Sequence, residues 1–264
     1  MNNLLLLILF ILLLSIGKKR GLKTFITFII CMLQIFIYMF LMRIGFNAIV
    51  WSFISCVIAS IFSIFFLNGY SKKTIASFIS VMIVQAIVFL LMYIICKQSG
   101  IGSFGEESLD NIGGYYFNIK YNMNDVLIGV LLISVVGTVI DTSISVASAM
   151  NEVYINNPKI SDKELYRSGM NVGGDILSTT INTLFFALIS TAIGFAMWHR
   201  NTMIGEIINY KMFVKDSIQL LIAFIASILI IPVTAYIASK MLASNKYNKV
   251  IDKFDKIYQL LKEE

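Results

Sequence analysis

The sequence predicts an all-α fold: a polytopic transmembrane helix bundle of about seven spans, N-terminus outside and C-terminus cytoplasmic. Three observations predict it. First, 58% of the 264 residues are hydrophobic and 14% are charged, where an average soluble domain has about a quarter of its residues charged. Second, apolar runs long enough to cross ~30 Å of hydrocarbon recur along the chain. Third, Lys and Arg divide unevenly between the two sides that those runs define.

The runs cover residues 3–17, 22–42, 46–67, 74–96, 126–150, 175–198 and 217–241. The first is short by the ~20-residue standard. A secretory signal would carry its positive segment before the apolar run; here Lys18, Lys19 and Arg20 come after it. That charge order predicts an uncleaved span with its N-terminus outside. On one side lie fifteen cationic residues, including Lys18, Lys19, Arg20, Lys23, Lys72, Lys73, Lys159, Lys163, Arg167 and those of the tail. The other side holds six: Arg43, Lys97, Lys120, Arg200, Lys211 and Lys215. The richer side is assigned to the cytoplasm. The net charge of +6 then reads as topology and lipid-headgroup contact, since no nucleic-acid motif accompanies it.

The first four runs read as scaffold, with Gln34 and Gln85 placed to hydrogen-bond between helices. Cys31, Cys56 and Cys96 stand alone without metal-ligand spacing and read as small buried hydrophobes. His199 is the only histidine, so no histidine-based metal site or catalytic dyad is expected, nor any cofactor. Residues 97–124 form the longest outside segment. Its Glu106, Glu107 and Asp110 fit either a substrate vestibule or a solvated loop beside a Tyr115-Tyr116-Phe117 interfacial anchor.

The fifth run is different, because Asp141 lies near its middle. A charged side chain at bilayer depth costs roughly 2.5–3.5 kcal/mol on insertion scales, and such residues usually mark ion or proton sites. Gly137, Asp141, Ser145 and Ser148 follow spacings of 4, 4 and 3 and share a helical face. Asp175, Thr179, Asn182 and Phe186 do the same in the sixth run, and the two polar stripes are expected to meet. Asp141 precedes Met150 by nine residues and Asn182 follows Asp175 by seven, depths of about 13 Å and 10 Å at ~1.5 Å per residue. Pro232, nine residues before Met241, frees the Ile228 carbonyl and is expected to kink the seventh helix at that level.

Between these runs, residues 151–174 read as a cytoplasmic loop. Ser161 and Glu164 form a capping-box pattern, Gly169 ends the short helix it starts, and Gly173-Gly174 make a tight turn. Asp175 is then either the N-cap of the sixth span or part of a cytoplasmic gate with Glu152, Arg167 and Asn171. Glu152 and Arg167 are placed to pair across the loop. Residues 1–242 are taken as the bundle and 243–264 as a cytoplasmic amphipathic helix, which would lie on the inner leaflet or pair with another helix.

Gly137-Thr-Val-Ile-Asp141-Thr-Ser-Ile-Ser145-Val-Ala-Ser-Ala149, with Glu152, the Arg167–Asp175 block and Asn182-Thr-Leu, resembles the YibE/F family over most of the chain. One departure is Gly174, where that family usually has Arg, so no cation directly beside Asp175 is implied. The resemblance implies a bacterial inner-membrane protein suspected of transport, and a longer YibE/F homologue as partner. It implies no substrate.

Two functions are expected from these residues. In one, the chain is a secondary transporter or transporter subunit for an unknown small solute or ion. Asp141 exchanges a proton or binds a cation, with Ser145, Ser148, Asn182 and Thr179 beside it. In the other, it is a non-transporting scaffold or partner subunit, and a permanently protonated Asp141 only ties helices together. An enzyme is not expected: Asp141 and Asp175 would sit about 10 Å or more apart along the bundle, too far for a shared-proton dyad, and no hydrolase or phosphate-binding motif is present.

Overall fold

The computed structural model describes residues 2–99, 123–198 and 204–243, and every regular element among them is helical. In chain order these are α1 (Asn2–Ile44), α2 (Ala48–Ile61), α3 (Lys72–Ser99), α4 (Met123–Asn156), α5 (Asp162–Trp198), α6 (Ile204–Asn209) and α7 (Lys211–Ala243). A π-helical turn, Phe62–Phe66, extends α2. Among the described residues, six helices (all but the short α6) are long and apolar enough to cross a membrane, as a multi-pass membrane protein requires. The expected amphipathic tail, the vestibule acids Glu106, Glu107 and Asp110, and His199 lie outside the described residues.

Six helices stand where seven runs were expected because the first two runs share α1. The helix is broken at Lys18, whose backbone adopts φ 46°, ψ −124°. The chain folds back there: the Phe10 and Phe25 rings lie 4.6 Å apart, although fifteen residues of straight helix would hold them ~22 Å apart. Gly21 makes the reversal possible, since a Cβ there would fall 1.8 Å from the Leu13 carbonyl oxygen.

The inner loop also differs from expectation. The capping box forms: Ser161 N and Oγ donate to Glu164 Oε2 at 3.2 and 2.9 Å, and Glu164 N donates to Ser161 Oγ at 3.3 Å. Yet the helix it starts does not stop at Gly169. α5 runs unbroken through Gly173, Gly174 and Asp175, so Asp175 is a mid-helix residue and not an N-cap. Two of these glycines serve packing in place of turning. A Cβ on Gly169 would sit 2.5 Å from Met150 Sδ of α4, and one on Gly173 would sit 2.3 Å from Ile231 Cγ2 of α7. Glycine inside a helix costs roughly 0.5–1 kcal/mol relative to Ala, and here close contact with two neighbours offsets it.

The centre of the bundle is built from α3, α4 and α7, with α5 laid on α4 and α7, and α2 on α4. Val81, Val84, Leu131, Leu132, Val139, Ile230 and Ala235 are buried there. A hydroxyl cluster fastens the three helices. Ser143 Oγ lies 3.0 Å from Thr234 Oγ1, Ser77 Oγ donates to the Ser143 carbonyl at 3.3 Å, and Ser143 Oγ reaches the Ser77 carbonyl at 3.3 Å. Gln34 bridges helices as expected, its Nε2 donating to the carbonyl and Oγ of Ser55. Gln85 is fully buried on α3, its side chain facing the Cys56 thiol of α2.

Candidate functional site

α4 is amphipathic in an unusual sense for a membrane helix. One face, including Ile128, Leu131, Val135, Val139 and Val146, is buried in the bundle. The opposite face carries Ser134, Gly137, Asp141 and Ser145, all exposed. Periodicity explains both, because positions three and four apart return to the same side.

Asp141 lies where two cavities meet. The larger, ≈ 650 Å³, is lined by Asp141, Ile140, Ile144, Ser145 and Ser148 of α4. Its other wall comes from Arg20 and Thr24 of α1, Ser63, Leu67 and Asn68 at the end of α2, and Lys73 of α3. The smaller, ≈ 380 Å³, lies between α4 and α5 and is lined by Ser134, Gly137, Thr138, Asp141, Thr142, Thr180, Thr183 and Leu184. From Asp141 the first extends along α4 to Ser148 and the second the other way to Ser134. Each reach is seven residues, ~10 Å at 1.5 Å per residue. Among the described residues, Asp141 has no ion-pair partner within 4.0 Å, and the Lys215–Asp216 contact at 3.9 Å is the one salt bridge.

The structure thus brings Asp141, Ser145 and Ser148 together in one cavity. It does not bring Thr179 and Asn182 to them. Both are exposed on the outer face of α5, and Thr180 and Thr183 occupy the groove instead. The physical reason is register: once α5 starts at Asp162 and packs on α4 through Gly169 and Met150, its inward face is set by the glycine contacts. Thr180 Oγ1 donates to the Ile176 carbonyl at 2.9 Å and Thr183 Oγ1 to the Thr179 carbonyl at 3.0 Å. Their hydroxyl oxygens remain able to accept.

Glu152, Arg167, Asn171 and Asp175 are all exposed. Glu152 and Arg167 do not pair, contrary to expectation. The Gly169–Met150 contact also changes the depth of Asp175. In an antiparallel pair that register sets it opposite Ile144, three residues or ~5 Å along the axis from Asp141. The two carboxylates are separated by facing, not by depth, since Asp175 lines neither cavity. Pro232 lies mid-helix in α7 and also lines neither. Among the described residues, no three His, Cys, Asp or Glu side chains cluster as a metal site needs.

Sequence reasoning missed Arg20, Thr24, Ser63, Asn68 and Lys73. In the sequence Arg20 and Lys73 stand out only as markers of sidedness, and nothing local signals that turns 50 residues apart share a cavity with Asp141.

A model of the YibE/F-like protein family matches residues 5–244, from α1 to the tail and across both cavities. The chain belongs to the YibE/F-like family. No curated protein and no solved structure matched it. The Arg167–Asp175 block that carries the resemblance is, in this YibE/F-like chain, a stretch of continuous helix in which Gly169 and Gly173 hold α5 against α4 and α7.

Proposed function

We propose that this YibE/F-like protein is a secondary transporter, or the transporting subunit of one, with a proton or cation site at Asp141. The observation that carries the reading is the position of Asp141 between two cavities that run in opposite directions along α4. A carboxyl group reachable from both directions can take a proton or ion on one side and release it on the other. A neutral carboxyl tolerates closure of the surrounding helices, whereas a charged one resists desolvation. In this reading the two arms of α1 cross separately, giving seven crossings, N-terminus outside and C-terminus inside, in a bacterial cytoplasmic membrane. Thr180 and Thr183 take the neighbouring positions, and no enzymatic step is involved.

The test uses purified full-length protein in vesicles loaded with a pH-sensitive dye, challenged with gradients of sodium, potassium and small carboxylates. Wild type moves protons with at least one of them; Asp141→Asn moves none at equal incorporation. Equal flux in the variant ends the reading.

A second reading is favoured by one observation on α5. Arg167, Asn171, Asp175, Ser178 and Asn182, at spacings of 4, 4, 3 and 4, are all exposed on its outer face. No residue of its apolar window is buried. Charged groups facing lipid cost several kcal/mol, so this stripe supports a covering chain, and the YibE/F resemblance implies a longer homologue. Stoichiometric co-purification with such a chain, lost in Asn182→Leu with Asp175→Leu, supports a partner-subunit role. Isolation of the protein alone, in a state that moves protons, removes it.

A further inference from the structure

The larger cavity holds more charge than the proton reading uses. Arg20 arrives from the turn after Lys18 and Lys73 from the first turn of α3, both on the wall away from α4. Among the described residues, neither has a carboxylate within 4.0 Å, and Asp141 has no cation within that distance. Sidedness alone does not require this. Lys18, Lys19 and Lys23 serve it from outside the cavity lining, Lys23 lying over the Phe66 ring at 5.9 Å. Arg20 and Lys73 instead bring two like charges to one cavity, an arrangement that repels itself until an anion enters.

The rest of the wall offers further donors in the Ser63 hydroxyl and the second amide hydrogen of Asn68. The Thr24 hydroxyl already donates to the Arg20 carbonyl at 3.0 Å, and Asn68 Nδ2 to the Ser63 carbonyl at 3.4 Å. Thr24, Ser63 and Asn68 stand with the two cations, and Ser145 and Ser148 with the carboxylate. Ser63 lies in the π-helical turn Phe62–Phe66, and Asn68 is the last helical residue before Gly69, whose φ is +71°. These departures from regular helix are where backbone is re-aimed at functional sites. A guanidinium offers two parallel donors to a carboxylate or phosphate, and an ammonium adds a compact charge.

We propose that this cavity binds an oxyanion, a carboxylate or phosphate group held by Arg20 and Lys73, and that its binding is linked to a proton on Asp141. The charged or titratable groups facing Asp141 are Arg20 from α1 and Lys73 from α3; the lining from the end of α2 and from α5 contributes none. An anion between the cations and a negative Asp141 repel each other, so anion and proton bind together, and by linkage each tightens the other. The anion belongs either to a soluble solute or to a lipid headgroup. This deepens the transport reading by naming a substrate class, but the binding claim does not depend on transport.

The experiment measures binding of inorganic phosphate and of succinate to the full-length protein in maltoside micelles by calorimetry, at pH 5.5 and pH 8. Native mass spectrometry of the same samples reports retained anionic phospholipid. At least one probe binds, tighter at the lower pH. Arg20→Gln and Lys73→Gln each weaken it tenfold or more, and Arg20→Lys restores part of the loss. Lys19→Gln, off the cavity, leaves it unchanged, and Asp141→Asn removes the pH dependence. Retention of anionic lipid that Arg20→Gln and Lys73→Gln abolish assigns the anion to a headgroup; saturable phosphate or succinate binding assigns it to a solute. Absence of both, or binding indifferent to Arg20 and Lys73 in variants of unchanged melting temperature, overturns the proposal. Anion binding without proton flux leaves this inference standing and removes transport. Flux of a cation that depends on Asp141, from a protein that binds neither anion probe nor anionic lipid, does the reverse.

Discussion

Gly169 of α5 lies against Met150 of α4 so closely that a methyl group added to it would fall 2.5 Å from the thioether sulfur. That contact sets the register of the two helices flanking the smaller cavity. Gly169→Leu should therefore lower stability by roughly 1–3 kcal/mol, the usual cost of overpacking, read as a fall in melting temperature. Gly174, further along the same helix, has nothing within 4 Å of an added Cβ. Gly174→Ala should be neutral or raise stability by up to about 1 kcal/mol. If both variants melt alike, the glycines are not packing devices.

The hydroxyl cluster gives a second expectation. Ser143→Ala removes the group that touches both Ser77 and Thr234. Hydrogen bonds between membrane helices measure on average ~0.6 kcal/mol and seldom exceed ~2 kcal/mol. Ser143→Ala and Thr234→Val should each cost about that, and the double variant should cost less than the sum. Additive losses in thermal unfolding would mean the two hydroxyls act separately.

At the other end of the chain, Gly21→Leu should open the reversal at Lys18. With Cys31, Cys56 and Cys96 replaced by Ala, cysteines at positions 10 and 25 should cross-link readily, since the native rings are 4.6 Å apart. Adding Gly21→Leu should abolish the cross-link. Persistence of the product would show that the arms stay together without the glycine.

Access to Asp141 can be probed with single cysteines at Ser148 and Ser134, one in each cavity. A membrane-impermeant thiol reagent should label the first from the side of the Lys18 and Lys73 turns and the second from the opposite side. Labelling of both from one side would contradict two separate routes.

Much of this architecture was legible in the sequence, for reasons that differ by element. Continuous apolar runs declare membrane helices because hydrocarbon tolerates little else, and the family follows from local strings such as the Arg167–Asp175 block. Asp141 announced itself by being charged in the middle of such a run, and Ser145 and Ser148 followed by helical spacing. The error at Gly169, Gly173 and Gly174 arose because glycine serves both turns and close packing, and only the neighbouring helix decides between them. That misplaced the start of α5, and with it the facing of Thr179 and Asn182. Arg20 and Lys73 were beyond reach altogether, since their meeting depends on how α1 and α3 are arranged around α4.

Ser143 and Asp141 stand two residues apart on α4 and face opposite ways. The first is clamped to α3 and α7, so the post bearing the carboxylate is fixed in place. In the proposed transport cycle, any opening around it would then fall to the wall that packs least on that centre, α1 with the end of α2, since Gly169 and Gly173 seat α5 closely on α4 and α7.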